Sequence, residues 1–289
     1  MAKKIYSLLV VLVAAILLVA CGSSNSKESD ASSQADAKWE KIQESGTLKV
    51  ATSGTLFPQS YHNDDNELTG YDVEIIREIA KRLDLDVEFV EMNVDGMLAA
   101  IDSGQIDVAG YSIEKDSKNA EKFLYTTTHK YSFSSMVVRK SDDSGIKTLE
   151  DLKGKKAAGA STTSYMKVAK KFGAELVIYD NVTNDVYLQD VANGRTDVIL
   201  NDFYLQTMAT KALPDIPVKV LEGLYYNPSE ANFALKLDNT TLQAKMNEAL
   251  EDMRQDGTLT KLSEQFFAGE DVSKEKDYDF EKIDVSDVE

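Results

Sequence analysis

The chain predicts an α/β protein of two lobes, joined by two crossover hinge strands around a central cleft. Short apolar strands alternate with amphipathic helices in two separate sets, the pattern of parallel α/β sheets. Two longer alternating stretches, Tyr131 to Lys140 and Glu230 to Leu237, lie where a chain would cross from one lobe to the other and back. Such an arrangement closes by a hinge. Length agrees: of 289 residues, 269 remain once a leader of 20 is removed, enough for one large domain or two ordinary ones.

At the N-terminus Lys3 and Lys4 precede the apolar run Ile5 to Ala20, the layout of a secretory signal. Its 16 residues fall short of the roughly 20 that a membrane span needs. The chain's one cysteine follows directly, and Leu18-Val19-Ala20-Cys21 resembles a bacterial lipobox. The expectation is a signal peptide over 1–20, cleaved before Cys21, whose thiol is acylated. With no second cysteine, packing alone must hold the exported fold. Residues 22–38 contain no aliphatic side chain larger than Ala, too little apolar surface to offset their own ordering. The segment 21–45 is therefore expected to be a flexible tether, residues 22–38 of which reach roughly 20 to 25 Å.

Leu48 to Ala51 reads as a strand ending at Thr52-Ser53-Gly54. Val73, Ile76, Ile79, Ala80 and Leu83 recur at intervals of three and four and predict a helix over Tyr71 to Leu83. After the strand Val87 to Val90 comes a helix entered through Asp95, whose carboxylate can cap the first-turn amides, with Gly104 as its stop and a strand Ile106 to Ala109 beyond. The second set runs helix Thr148 to Leu152, strand Lys156 to Gly159, helix Ser164 to Phe172, strand Leu176 to Tyr179, helix Asn184 to Asn193 and strand Asp197 to Leu200. The expected division is lobe 1 over 46–135, lobe 2 over 136–228 and a return to lobe 1 over 229–269. In the last segment, 270–289, nine Asp/Glu face three Lys, which predicts a weakly ordered acidic tail.

The formal charge of −17 becomes −19 once Lys3 and Lys4 leave with the signal, which argues against nucleic acid or an anionic surface as partner. The two histidines, His62 and His129, sit in polar-loop and post-strand contexts and read as exposed or packed side chains rather than catalysts. No CxxC, HExxH or phosphate-loop pattern occurs, so neither a metal nor a nucleotide cofactor is expected.

Several pieces in order are shared with a known group: Leu68-Thr-Gly-Tyr-Asp-Val-Glu74, the Asp95-Gly96 helix start followed by Ser103-Gly104-Gln-Ile-Asp107, Gly194-Arg-Thr-Asp197 leading to Asp202, and near the end Asn247-Glu-Ala-Leu250, Asp256-Gly-Thr-Leu259 and Gln265-Phe266-Phe267. On these the chain, from about Gly46 to Phe267, resembles the extracellular solute-binding proteins of polar amino acid ABC importers. The resemblance implies a periplasmic-binding-protein-like fold and a small solute held between the lobes. It also implies an ABC permease as partner, a lipid anchor as the sole membrane contact, and a monomer on the outer face of the cytoplasmic membrane.

The residues it implies at the ligand are Ser53, Leu56, Val94, Ser112, Glu114, Asn119, Thr162, Thr163, Asn201 and Asp202. Asp202 falls where the family places the carboxylate that pairs with a ligand ammonium; a strand-end Asp also suits a helix cap. Thr162 and Thr163 open a helix, which suits either an anionic group or ordinary capping. Other positions depart from the pattern. Where the family carries an arginine for the ligand carboxylate, this chain has Asn119 or Ser117, Glu114 stands where Ser or Thr is usual, and Leu56 and Val94 replace stacking aromatics. Lys115 or Lys118 swinging in, Glu114 turned to solvent, or a one-residue displacement of the loop would each restore carboxylate binding, while Tyr111 or Tyr165 would restore a stacking face. Four functions stay open: a receptor for an amino acid, possibly of cystine type; the same receptor class for a cationic amine without an α-carboxylate; a dehydratase-like enzyme on this fold, with Glu114 as its acid; and an adhesin or sensor with a decayed pocket.

Overall fold

The computed structural model describes residues 26–115, 120–179 and 182–288, with only the backbone described for 26–34 and Glu114. The expected leader, Cys21, Ser117, Lys118 and Asn119 lie outside the described residues. In chain order the elements begin with α1 (Ser26–Ser45), β1 (Thr47–Thr52), β2 (Thr55–Leu56), β3 (Ser60–His62), β4 (Leu68–Thr69), α2 (Tyr71–Arg82), β5 (Asp86–Glu91), α3 (Val94–Ser103), β6 (Val108–Glu114) and β7 (Phe123–Tyr125). They continue with β8 (Lys130–Arg139), β9 (Lys156–Gly159), α4 (Ser164–Lys171), β10 (Glu175–Ile178), α5 (Asn184–Ala192), β11 (Val198–Asp202), α6 (Phe203–Ala212), β12 (Val218–Val220), β13 (Tyr226–Lys236), α7 (Thr240–Gln255) and α8 (Thr258–Phe266). Among the described residues no helix is long and apolar enough to cross a membrane.

One sheet runs through both lobes in the order β10-β9-β11-β8-β13-β6-β1-β5. Its two ends are parallel, β1 with β5 and β6 in one lobe, β9 with β10 and β11 in the other. The two long strands between them are antiparallel to each other, Lys130 opposite Ala231 and Phe133 opposite Pro228. Both crossings expected from the alternating stretches are therefore strands of this sheet. β6 starts two residues later than the strand read from the sequence and continues to Glu114, because its far half pairs with β13. That extension carries Tyr111 and Ser112 to the boundary between the lobes.

Each parallel end is covered on both faces, as its apolar strands require. In lobe 1 the expected stripe of α2 is buried, with Val73, Ile76 and Ile79 fully so, and packs over Leu48 and Val50 together with Met246 and Leu250 of α7. Met97 and Ile101 of α3 cover the other face with Ala51 and Ala109. Gly70, at the entry to α2, has φ 130°, and a Cβ there would lie 2.4 Å from the Gln59 carbonyl oxygen, so only glycine fits. The close approach lets Asp72 N–H donate to the Gln59 carbonyl (3.1 Å) and fixes the start of α2 against the cleft loop. Thr148 to Leu152, expected as a helix, is a single 3-10 turn over Leu149–Leu152.

Two expectations fail. The tether is ordered from Ser26 onward as α1, in which Ala35 and Ile42 are buried and Trp39 packs against the lobe 1 core. Those three residues are spaced by four and three and form a helical stripe. The composition of residues 22–38 misses it because Trp39 and Ile42 come just after. Thr241 Oγ1 donates to Asp36 Oδ1 at 2.8 Å, and Lys38 pairs with Asp238.

The acidic tail is also ordered, as a strap without regular secondary structure that touches both lobes. Val272 is fully buried in lobe 1, and its carbonyl accepts from Tyr131 N–H at 2.7 Å. Tyr278 and Phe280 set their rings 4.8 and 4.9 Å from Phe133 at the hinge, and the Tyr278 hydroxyl lies 2.9 Å from that of Tyr204. Ile283 and Val285 then join the lobe 2 core. The charge count averaged over mostly exposed side chains, whereas among the apolar ones between them Val272 is buried and Tyr278, Phe280, Ile283 and Val285 are half-buried. Phe280→Ala is expected to lower stability by about 1 to 2 kcal/mol, given the partial burial of its ring. At roughly 2 to 4 °C per kcal/mol for a chain of this size, thermal unfolding would show a loss of several degrees; an unchanged midpoint would mean that the tail contributes nothing.

Candidate functional site

Between the lobes lies a cavity of about 250 Å³. Ser53, Leu56, Val94 and Ser112 line it from lobe 1, and Thr162, Thr163, Asn201 and Asp202 from lobe 2. The fold thus brings together eight of the ten candidates; Asn119 and the side chain of Glu114 lie outside the described residues. Lys130 and Ser132 of β8 and Ser229 to Ala231 of β13 complete the lining from the hinge.

Asp202 ends β11, the strand that pairs antiparallel with β8, so its side chain is delivered to the hinge. The helix-cap reading of this residue holds, and the residue also lines the cavity. Oδ1 caps α6, accepting from Leu205 N–H at 3.0 Å, while Oδ2 receives the ammonium of Lys130. The two side chains are only 3% and 5% exposed, so each charge is desolvated and depends on the other. Asn201, next to it, turns its Oδ1 back onto the Asp202 N–H (2.7 Å). Sequence reasoning missed Lys130 altogether. The available signal was a lysine at the start of a hinge strand whose following residues are otherwise apolar or serine up to Arg139.

A second polar cluster supports the lobe 1 wall. Buried Asp72 accepts from Gln59 Nε2 at 2.8 Å and from Ser112 Oγ at 3.1 Å, and its Oδ1 lies 3.2 Å from His129 Nε2. His129 is fully buried and stacks on Phe233 with ring centroids 4.1 Å apart, so it is a packed histidine, as its context predicts. Serine, histidine and aspartate meet here but not as a nucleophilic relay. One imidazole nitrogen, Nε2, faces both Ser112 Oγ (3.3 Å) and Asp72, whereas a relay uses the two nitrogens separately. The cluster holds Ser112 at the cavity edge.

Hydrogen bonds join the two lobes beside the cavity. Asp95, expected to cap α3, does not: Asn93 Oδ1 accepts the Gly96 N–H at 2.8 Å instead. The freed Asp95 carboxylate reaches lobe 2, where Ser161 Oγ donates to it at 2.8 Å and Thr162 Oγ1 donates to its other oxygen. Phe57 N–H donates to Asn184 Oδ1 at 3.0 Å in a further bridge. Thr163 caps α4, accepting from Met166 N–H at 3.4 Å.

Both tyrosines that the sequence offers in place of the missing aromatics, Tyr111 and Tyr165, line the cavity. Tyr111 lines it from lobe 1 and Tyr165, Tyr179 and Tyr187 from lobe 2. Burial pushes the Tyr111 and Tyr187 phenols well above their ordinary range, with the Asp72 carboxylate adding to the effect at Tyr111, so both remain neutral amphipathic walls. Tyr179 and Tyr187 were not legible because their strand and helix approach the cleft only after lobe 2 has folded.

Asp95→Ala removes two exposed hydrogen bonds, each contributing about 0.5 kcal/mol, and is expected to shift the open–closed equilibrium of the empty protein by about fivefold. Small-angle scattering would register this as a larger radius of gyration, with Asp95→Asn intermediate. An unchanged radius in both variants would show that these bridges do not hold the lobes.

Comparison with known proteins agrees with this fold. Probable ABC transporter extracellular-binding protein YckB of Bacillus subtilis (strain 168) is 54% identical over 273 residues, covering 93% of this chain and 93% of that protein. Its crystal structure superposes with a TM-score of 0.69 at 57% identity, over 85% of this chain and 99% of the other. L-cystine-binding protein TcyA of the same organism is 35% identical over 279 residues, 94% of this chain and 100% of that protein. Residues 48–269 match the family described as bacterial extracellular solute-binding proteins, family 3, and the chain belongs to that family.

Proposed function

We propose that the chain is the receptor subunit of an amino acid ABC importer, that it closes over an α-amino acid of cystine type outside the cell, and that it hands this solute to the permease. The observation that carries the reading is the interlobe cavity, lined by Asp202 and by tyrosines of both lobes. At about 250 Å³ it lies near the roughly 300 Å³ lower end of small-molecule clefts, which suits a single amino-acid-sized solute rather than a peptide. Aromatic walls with neutral hydroxyls suit a ligand whose middle is apolar or sulfur-bearing. In this reading Ser53, Ser112, Thr162, Thr163, Asn201 and Asp202 make the polar contacts, and Leu56 and Val94 the apolar ones. The relative that binds L-cystine supports the choice of ligand class.

The protein works as a monomer held to the membrane by lipid at Cys21, with α1 as an ordered base between anchor and lobe 1. Energy for transport comes from the ATPase across the membrane, so capture and closure suffice here; the matching family is described as solute-binding proteins. Cys21→Ser in the full chain is expected to release the protein from the membrane fraction, and retention would contradict the anchor.

The ligand is tested by thermal unfolding of the domain against amino acids, cystine and small amines. A ligand at about 100 times its Kd adds roughly 2.7 kcal/mol, a rise of about 5 to 11 °C at this chain length. A rise with L-cystine supports the reading; a rise with amines alone, or with nothing in the panel, contradicts it.

A further inference from the structure

We propose that Lys130 is the cation that receives the ligand's α-carboxylate. In the empty cleft it is stored against Asp202, and an entering zwitterion exchanges this one internal ion pair for two of its own. The inference rests on the amino acid receptor reading and names the residue that makes that site selective.

Four observations carry it. Among the described residues lining the cavity Lys130 is the one cation, in a chain that lacks arginine at either expected position, 117 or 119. The side chain is already desolvated at 3% exposure, so ligand binding need not strip its water again. An ammonium carries three protons, and the hydrogen bond it makes among the described residues is to Asp202 alone, which leaves donors for a carboxylate. Finally, Lys130 stands on β8 and Asp202 at the end of β11, the strand beside it, so the two charges border one cavity from the hinge and from lobe 2.

Charge balance then sets the specificity. A ligand with an ammonium alone would displace Lys130 from Asp202 and leave a buried cation unpaired. One with a carboxylate alone would leave Asp202 in the same state. A zwitterion satisfies both, so removing either ligand charge carries a desolvation penalty that works as selection against the wrong solute. This separates the amino acid ligand from the carboxylate-free amine, two classes that the sequence left open.

The test is calorimetric titration of the native domain and of Lys130→Met with L-cystine and with cystamine, its decarboxylated counterpart. Native protein is expected to bind L-cystine and to reject cystamine. Lys130→Met should lose at least about 30-fold in affinity for L-cystine, the usual scale for a buried charge partner, and should gain measurable binding of cystamine, whose ammonium then finds Asp202 unpaired, so that the preference collapses. A lysine that merely supports the fold would weaken L-cystine without admitting cystamine, and that result, or unchanged L-cystine binding, overturns the proposal while the receptor reading stands. Native protein that binds neither ligand nor any other amino acid overturns the receptor reading and this proposal with it. Should Lys130→Met fail to fold, the Lys130 ammonium resonance of the native protein, assigned by its loss in Lys130→Arg, decides. A shift on adding L-cystine is expected, and no shift overturns the assignment.

Discussion

Pairing of the two hinge strands is the constraint on which the molecule depends. β8 and β13 are the shared middle of a sheet whose ends belong to different lobes, so each lobe borrows a strand edge from the hinge. Antiparallel register there sets which side chains face the cleft: Lys130 lies opposite Ala231, and three residues on, Phe133 lies opposite Pro228 and anchors the aromatic cluster behind the hinge. A slip of one residue would turn Lys130 away from the cavity and invert the alternation along the strand. The strap of residues 272–285 adds a second connection, with Val272 in one lobe and Ile283 in the other, and its aromatic rings pack on the hinge itself. Lobe motion therefore takes place under two mechanical restraints rather than about two free strands.

The polar residues divide between holding the walls and facing the solute. Asp72 uses its oxygens on Gln59, Ser112 and His129, and is wholly occupied with the lobe 1 wall. Asp95 bridges the lobes through hydroxyls. Asp202 spends one oxygen on the α6 cap and the other on Lys130, and both residues line the cavity. Charges buried this deeply survive because each has a partner, and the pair that borders the cavity is the one a ligand can rearrange. The proposed role of the pair would couple closure to recognition, since Lys130 sits on β8 and Asp202 at the end of β11.

Much of the architecture was legible because period-two and period-three-to-four patterns report burial directly. The lobe strands, the stripe of α2 and both crossings follow from it. What escaped has a common cause. α1 and the strap carry their apolar residues singly among charged or small ones, so composition reads them as unable to fold, while Trp39, Ile42, Tyr278 and Phe280 each find a place on a surface built by distant residues. At the site, the resemblance brought Asp202 and its companions to one cavity, but position-by-position transfer sees only what a family shares. Lys130, Tyr179 and Tyr187 enter through strand pairing and lobe packing, and Asp95 was misread because local capping logic overlooked Asn93 two residues earlier.

The most direct test of the account is a crystal structure of the domain grown with L-cystine. The account predicts closed lobes, a ligand ammonium on Asp202, and a carboxylate within hydrogen-bonding distance of Lys130 Nζ after the internal pair has separated. A ligand bound elsewhere, or one in the cavity with Lys130 and Asp202 still paired to each other and its carboxylate held by other groups, would contradict it.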